Sequence, residues 1–108
     1  SIDFSIVGML LCPHNERHLV IWGISEACVA IIKPSWDGID SKIDLTLDLD
    51  SNEGDPDFIV RCLFLPGSST NLVVGCGRYV RVFDLTRCKE QHASPVVAFN
   101  LGFEASLR

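Results

Sequence analysis

The chain has 108 residues, of which 47% are hydrophobic and 21% are charged, and its formal net charge is −5. One compact core can form at this length, and the composition excludes a disordered chain and the basic surface that nucleic acid needs. The longest apolar runs, such as residues 6–11, are far shorter than the roughly 18 residues of a membrane span. We therefore expect a soluble chain with no nucleic-acid partner and no membrane span.

Short apolar blocks rich in Val, Ile and Phe alternate with Pro, Gly, Asn and Ser, a pattern that predicts strands and turns. In chain order, strands are predicted at residues 4–11, 19–22, 28–32, 42–49, 59–64, 72–75, 79–85 and 96–101. In the fourth strand, Ile43, Leu45 and Leu47 alternate with polar residues. This predicts an outer strand whose charges discourage pairing with foreign strands.

The chain contains an internal repeat. The pattern Val7-x5-Pro13-x5-Leu19-Val20 recurs as Val60-x5-Pro66-x5-Leu72-Val73, a shift of 53 residues. Four strands per repeat are typical of a propeller blade, because one small sheet cannot bury both of its faces. The repeat predicts one blade over residues 1–50, an acidic linker over 51–57, a second blade over 58–101 and the start of a third over 102–108.

Five cysteines lie at positions 12, 28, 62, 76 and 88, with no Cys-x-x-Cys pair among them. An odd, unpaired set indicates a reducing compartment, so we expect a cytoplasmic protein. Cys28 and Cys62 lie in apolar runs, where a free thiol behaves as a small buried hydrophobic group.

The second repeat resembles a WD40 repeat, and three segments carry the resemblance: Val60–Ser68, Leu72–Gly75 and Tyr79–Leu85. Phe83-Asp84 stands where Trp-Asp is usual, and the Gly-His dipeptide of that repeat is absent. Trp36-Asp37 follows Lys33-Pro34 in a predicted loop and is not the repeat signature. The resemblance implies an all-β fold with two four-stranded antiparallel blades of a WD40-like β-propeller, which is an incomplete ring.

Nearly the whole chain resembles the propeller-like segment of the giant N-recognin E3 ubiquitin ligases, called calossin or Pushover in animals and BIG in plants. Four pieces carry this resemblance in order: Phe4–Met9, Trp22-Gly23 through Cys28-Val29, Phe58–Val60 with Leu65–Ser68, and Val80–Leu85 with Ser94-Pro95. Residues 33–57 match poorly.

This resemblance implies a non-catalytic scaffold or protein-interaction segment of a ligase of the N-degron pathway. The UBR box and the zinc-bearing catalytic module of that family need clusters of Cys and His that this chain lacks. The implied partners are other blades of the same parent chain and proteins such as calmodulin or ligase subunits.

Three motifs resemble metal-binding or cofactor-binding sites, but their residues do not have the spacing that such sites need. Cys12, His14 and His18 lack a paired Cys-x2-4-Cys, which favours a solvated turn over a zinc site. The stretch from Asp48 to Ile59 has its glycine, Gly54, one place too late for a calcium loop, and Ile59 stands where the loop needs its final carboxylate. Gly75-Cys76-Gly77 lies between two predicted strands, which favours a hairpin over a dinucleotide loop.

No nucleophile and base can be nominated, because the chain has no Gly-x-Ser-x-Gly elbow, no phosphate loop, and histidines only in turn-like surroundings. We therefore predict no catalytic, cofactor-binding or metal-binding residue and no cofactor. The predicted structural core consists of Trp22, Cys62, Phe64, Tyr79, Val82 and Phe83.

Three classes of function stay open: a segment of a giant ubiquitin ligase, a propeller segment of an unrelated intracellular trafficking or signalling scaffold, and a small independent β-domain with a ligand. Fold alone does not separate them. The ligase leads because its resemblance extends over both repeats.

Overall fold

A computed structural model describes residues 2–47, 59–76 and 79–100. In that part of the chain the structure has these strands: β1 Gly8–Cys12, β2 Asn15–Trp22, β3 Ala27–Ile32, β4 Ile39–Leu45, β5 Ile59–Phe64, β6 Asn71–Cys76, β7 Tyr79–Asp84, β8 His92–Ala93 and β9 Val97–Asn100. A 3-10 turn, Leu85–Arg87, follows β7. No helix in these three ranges is long and apolar enough to cross a membrane.

The first sheet has the strand order β1-β2-β3-β4-β8. Its first four strands form an antiparallel meander in which Val20 lies opposite Val29, and Val29 lies opposite Ile43. β-branched side chains favour such pleated, half-buried positions because their restricted χ1 angles suit extended backbone. These three side chains form a buried apolar row across the sheet.

The second sheet has the order β5-β6-β7-β9, and all of its strands are antiparallel to their neighbours. Phe64 lies opposite Leu72, which lies opposite Phe83. All three side chains are buried. β6 and β7 pair up to Cys76 and Tyr79, as expected of the predicted hairpin.

One hydrophobic core joins the two sheets. It contains Val20, Val29 and Ile43 from the first sheet together with Leu72 and Phe83 from the second. The edge strand β5 of the second sheet contacts β1 and β2. Because full burial of one large apolar side chain contributes about 1.5–3 kcal/mol, this shared layer is what holds the sheets together.

The all-β prediction is confirmed, as is the division into two sheets, but the prediction of four strands is wrong for the first sheet. β8 comes from the connection between β7 and β9 and pairs in parallel with β4. The Asp44 N–H donates to the Gln91 carbonyl at 2.8 Å, and the Thr46 N–H donates to the Ala93 carbonyl at 2.8 Å. A paired strand, and not charge alone, therefore covers part of the β4 edge.

The first predicted strand starts too early. β1 begins at Gly8, and of the residues before it, Ile2 and Phe4 pack on Ile21, Cys28 and Ala30 at the other face of the first sheet. The predictions for residues 48–49, for the acidic linker, for residue 101 and for a third blade over 102–108 lie outside the described residues.

Candidate functional site

The structure places the proposed core residues at different depths. Cys62, Phe64 and Phe83 are buried in the shared core, and Trp22 packs against it while partly exposed. Tyr79 and Val82 are half-buried. Val82 lies on the face of the second sheet that points away from the core, since its neighbours Arg81 and Phe83 in the strand point inward.

Asp84 stabilises the turn that follows Phe83. Its carboxylate Oδ1 accepts hydrogen bonds from the Thr86 amide at 3.0 Å and from the Thr86 hydroxyl at 2.6 Å. These bonds hold the pKa of Asp84 below its usual value. The Phe83-Asp84 dipeptide thus has a structural role, with one residue in the core and the other capping the 3-10 turn.

Four of the thiols are buried, at Cys12, Cys28, Cys62 and Cys76. Burial, together with the neighbouring Cys76, raises the pKa of Cys62 to about 12. Burial also raises the pKa of Cys28, and Asp44 adds to this while Lys42 opposes it. Because the thiolate is the nucleophile, the raised pKa values make Cys28 and Cys62 poor nucleophiles at neutral pH.

The turn around His14 and His18 does not assemble a metal site. Cys12 is buried whereas His14 is exposed. Asn15 Nδ2 lies 3.4 Å from His18 Nε2, and Asn15 Oδ1 accepts from the Arg17 amide at 3.1 Å. Among the described residues, no group of three metal-ligating side chains comes together.

An open groove of about 470 Å³ lies at one end of the first sheet. Its lining includes the charged side chains of Asp3, Glu26, Lys42 and Asp44. Lys42 Nζ is 3.6 Å from Asp44 Oδ1, and both side chains are partly solvated. Among the described residues, neither a histidine nor a cysteine lines this groove.

The second sheet has an apolar face that points away from the shared core, which we call the outer face. It consists of Leu63, Val73, Val80, Val82, Val97 and Phe99, which the strand register places in adjoining rows. Neither core cluster includes any of them. Val97 is 41% exposed and Phe99 is 53% exposed, and an adjoining set of this kind is typical of an interaction surface.

Arg81 is the residue that the sequence analysis missed. It is only 5% exposed, and its guanidinium carbon lies 5.0 Å from the centre of the Tyr79 ring. Its Nη1 has no hydrogen-bond partner in the described part of the chain. The period of two from Tyr79 through Arg81 to Phe83 would have placed it on the inward face.

The chain is similar in sequence to a known protein. The chain is 28% identical over 102 residues to a probable E3 ubiquitin-protein ligase from Dictyostelium discoideum. The alignment covers 94% of this chain but only 2% of the length of the relative. No protein-family model matches the chain, and no solved structure matches it. The chain is thus similar to a short stretch of a very large protein described as a ubiquitin ligase.

Proposed function

We propose that the chain is a segment of a WD40-like β-propeller in a giant E3 ubiquitin ligase of the N-degron pathway, where it is a non-catalytic scaffold or protein-interaction segment. The shared core carries this proposal. The first sheet, with five strands, and the second, with four, bury one face each against the other, and each sheet keeps apolar side chains exposed on its remaining face. Further blades on either side would cover them.

The exposed side chains of both units support this proposal. The second sheet contributes its outer face, and the first contributes Met9, 58% exposed, and Leu11, 45% exposed. The similarity to the Dictyostelium ligase extends over both units, as expected if they form one architectural segment.

Two of the buried thiols are unsuited to carrying ubiquitin. A thioester-forming cysteine needs access and a low pKa, whereas Cys28 and Cys62 are buried and their pKa values are raised. Transfer of ubiquitin would then depend on other parts of the parent protein. By resemblance, we propose other blades, ligase subunits or calmodulin as partners, in the cytoplasm.

The test compares Phe83→Asp with Arg87→Glu in the full-length protein. Phe83 is fully buried, so a carboxylate there costs several kcal/mol and disrupts the second sheet. The Arg87 side chain is 74% exposed, and its substitution should change stability by no more than about 0.5 kcal/mol.

We expect Phe83→Asp to lower thermal stability and to abolish co-purification of partners, while ubiquitin discharge by the isolated catalytic module stays normal. Arg87→Glu should leave all three unchanged. The scaffold proposal fails if Phe83→Asp keeps stability and partners but stops discharge when the segment is added back.

A further inference from the structure

The loop that connects β3 to β4 carries an exposed tryptophan. Every residue from 33 to 40 is exposed. Trp36 itself is 55% exposed, and neither core cluster contains it. An indole gains free energy when its large apolar surface is removed from water. More than half of the surface of Trp36 does not obtain this gain from the described part of the chain.

The backbone at Trp36 is also strained. Its φ is 62°, in the left-handed region that a bulky side chain adopts only at a cost. Glycine takes such a φ without this cost, as Gly67 does with a φ of 80° in the turn between β5 and β6. Gly38 lies only two residues after Trp36, yet its φ is outside the left-handed region. The loop therefore has its largest side chain, and not its glycine, at the strained position.

Hydrogen bonds hold the loop in this conformation. The Lys33 N–H donates to the Gly38 carbonyl at 2.9 Å, and the Trp36 N–H donates to the Lys33 carbonyl at 2.9 Å. The Ser35 hydroxyl donates to Asp37 Oδ1 at 2.6 Å. A side chain presented by a fixed loop loses less conformational entropy when it binds than one on a flexible loop.

The charges beside Trp36 favour one kind of partner. Asp37 and Asp40 are both exposed, and within the described residues neither of them forms a salt bridge. These carboxylates repel the phosphates of nucleic acid and of an anionic membrane, and they attract Lys and Arg side chains. A loop whose residues are all exposed also fits a recess better than a flat surface. These features together favour a protein with an apolar pocket and a basic rim.

We propose that the β3–β4 loop is a docking site that inserts Trp36 into an apolar pocket of a separate protein, where Lys or Arg at the rim pairs with Asp37 and Asp40. Tryptophan is among the residues that contribute most to protein interfaces. Strained residues of this kind cluster at binding sites, where the surrounding structure holds them in place. This deepens the proposed scaffold function by naming the chemistry of a docked partner, and it rests on that proposal only for the partner's being a protein.

The first test compares Trp36→Gly with Ile24→Gly in the full-length protein. Ile24 is 64% exposed and lies between β2 and β3, at the other end of the first sheet. We expect Trp36→Gly to reduce co-purification of one partner more than tenfold, as loss of a central interface tryptophan does. Its thermal stability should stay the same or rise, because glycine adopts the positive φ without strain. Ile24→Gly should keep the partner.

Photo-cross-linking identifies what covers the indole. The photoreactive residue p-benzoylphenylalanine replaces Trp36 in one sample of the full-length protein and Ile24 in another. We expect position 36, and not position 24, to cross-link to the same protein that Trp36→Gly loses, at a site that includes Lys or Arg. This readout does not depend on how well Trp36→Gly folds.

The variant Asp37→Asn tests the basic rim of the pocket. Asparagine still offers an oxygen to the Ser35 hydroxyl, so the loop keeps its hydrogen bond while it loses the charge. We expect binding of the cross-linked partner to weaken about two- to fivefold, the effect of one solvated ion pair. Unchanged binding would overturn the pairing of the loop with a basic rim.

Three other results would overturn the docking site itself. Full co-purification with Trp36→Gly would show that the indole is not needed, and loss of thermal stability in this variant would assign Trp36 to the fold. Cross-links from position 36 to phospholipid, or to another region of the same polypeptide, would place a different occupant on the loop. None of these results affects the Phe83→Asp comparison, which tests the scaffold function separately.

Discussion

The contact between Gly8 and Trp22 shows how a single missing side chain allows close packing. A Cβ atom at position 8 would lie 2.4 Å from Trp22 Cζ2, far inside the contact distance. Gly8→Ala would force the indole away from the core against which it packs, and such overpacking costs about 1–3 kcal/mol.

We expect this loss of stability in denaturant unfolding of the Gly8→Ala variant. The matched control is Gly38→Ala, where the nearest atom to a new Cβ is Lys33 Cε at 4.0 Å. Equal stability of the two variants would mean that Trp22 does not lie over Gly8.

Burial of Cys62 makes stability depend on alkaline pH. Its pKa is raised from 9.0 to about 12 in the folded chain. The neutral thiol is favoured on folding, so its contribution is complete below pH 9 and is lost as pH rises from 9 towards 12. Above pH 9 the loss is about 1.4 kcal/mol per pH unit.

Unfolding of the unaltered chain and of Cys62→Ala, compared between pH 8 and pH 11, isolates this contribution from other groups that titrate in the range. We expect the free-energy difference between the two proteins to shrink as pH rises. A constant difference would show that the thiol is solvated in the folded state.

The turn that leads into β8 holds two residues in a conformation that is unfavourable for them. Glu90 has a φ of 53° and Gln91 a φ of 65°. Two backbone hydrogen bonds close the turn: the Lys89 N–H donates to the His92 carbonyl at 2.7 Å, and the His92 N–H donates to the Lys89 carbonyl at 3.0 Å. Two positive φ values in a two-residue connection define a type I′ turn, which favours Asn-Gly.

Replacing Glu90 by Asn together with Gln91 by Gly should therefore raise the stability of the chain by about 1 kcal/mol. Replacing both by Val should lower it, because β-branched residues tolerate positive φ poorly. Thermal unfolding would distinguish the pairs. Reversal of this order would contradict the turn type.

Most strands could be predicted because their residues alternate or cluster locally, as in β5, whose bounds match the prediction. β8 could not, since His92-Ala93 is too short to show a period, and only its distant partner β4 makes it a strand. The buried position of Phe83 followed from its apolar strand. The burial of Arg81 could not be predicted from the sequence. A charged side chain is normally expected to be exposed, and whether it is buried depends on the residues that pack above it.

At the scale of the whole molecule, the outer face determines whether the isolated 108-residue chain can remain a monomer in solution. Val97 and Phe99 together leave a largely exposed apolar strip. We expect the isolated chain to dimerise or aggregate at micromolar concentration, because such surfaces associate. Light scattering after size exclusion would show this.

The control is the double variant Val97→Glu with Phe99→Glu, which places charges on the exposed strip without touching the shared core. We expect it to shift the isolated chain towards monomer. A monomeric unaltered chain with cooperative unfolding would show that no neighbouring sheet is needed for stability.

The pairing of β4 with β8 also means that the first sheet cannot be completed until β8 has been synthesised. Leu45 pairs with Ala93, which is made roughly fifty residues later. At about 5–20 residues per second, synthesis of the intervening chain takes about 2–10 s. During that interval the nascent first sheet has an uncovered edge, so the order of translation makes this edge the place where a chaperone would be needed most.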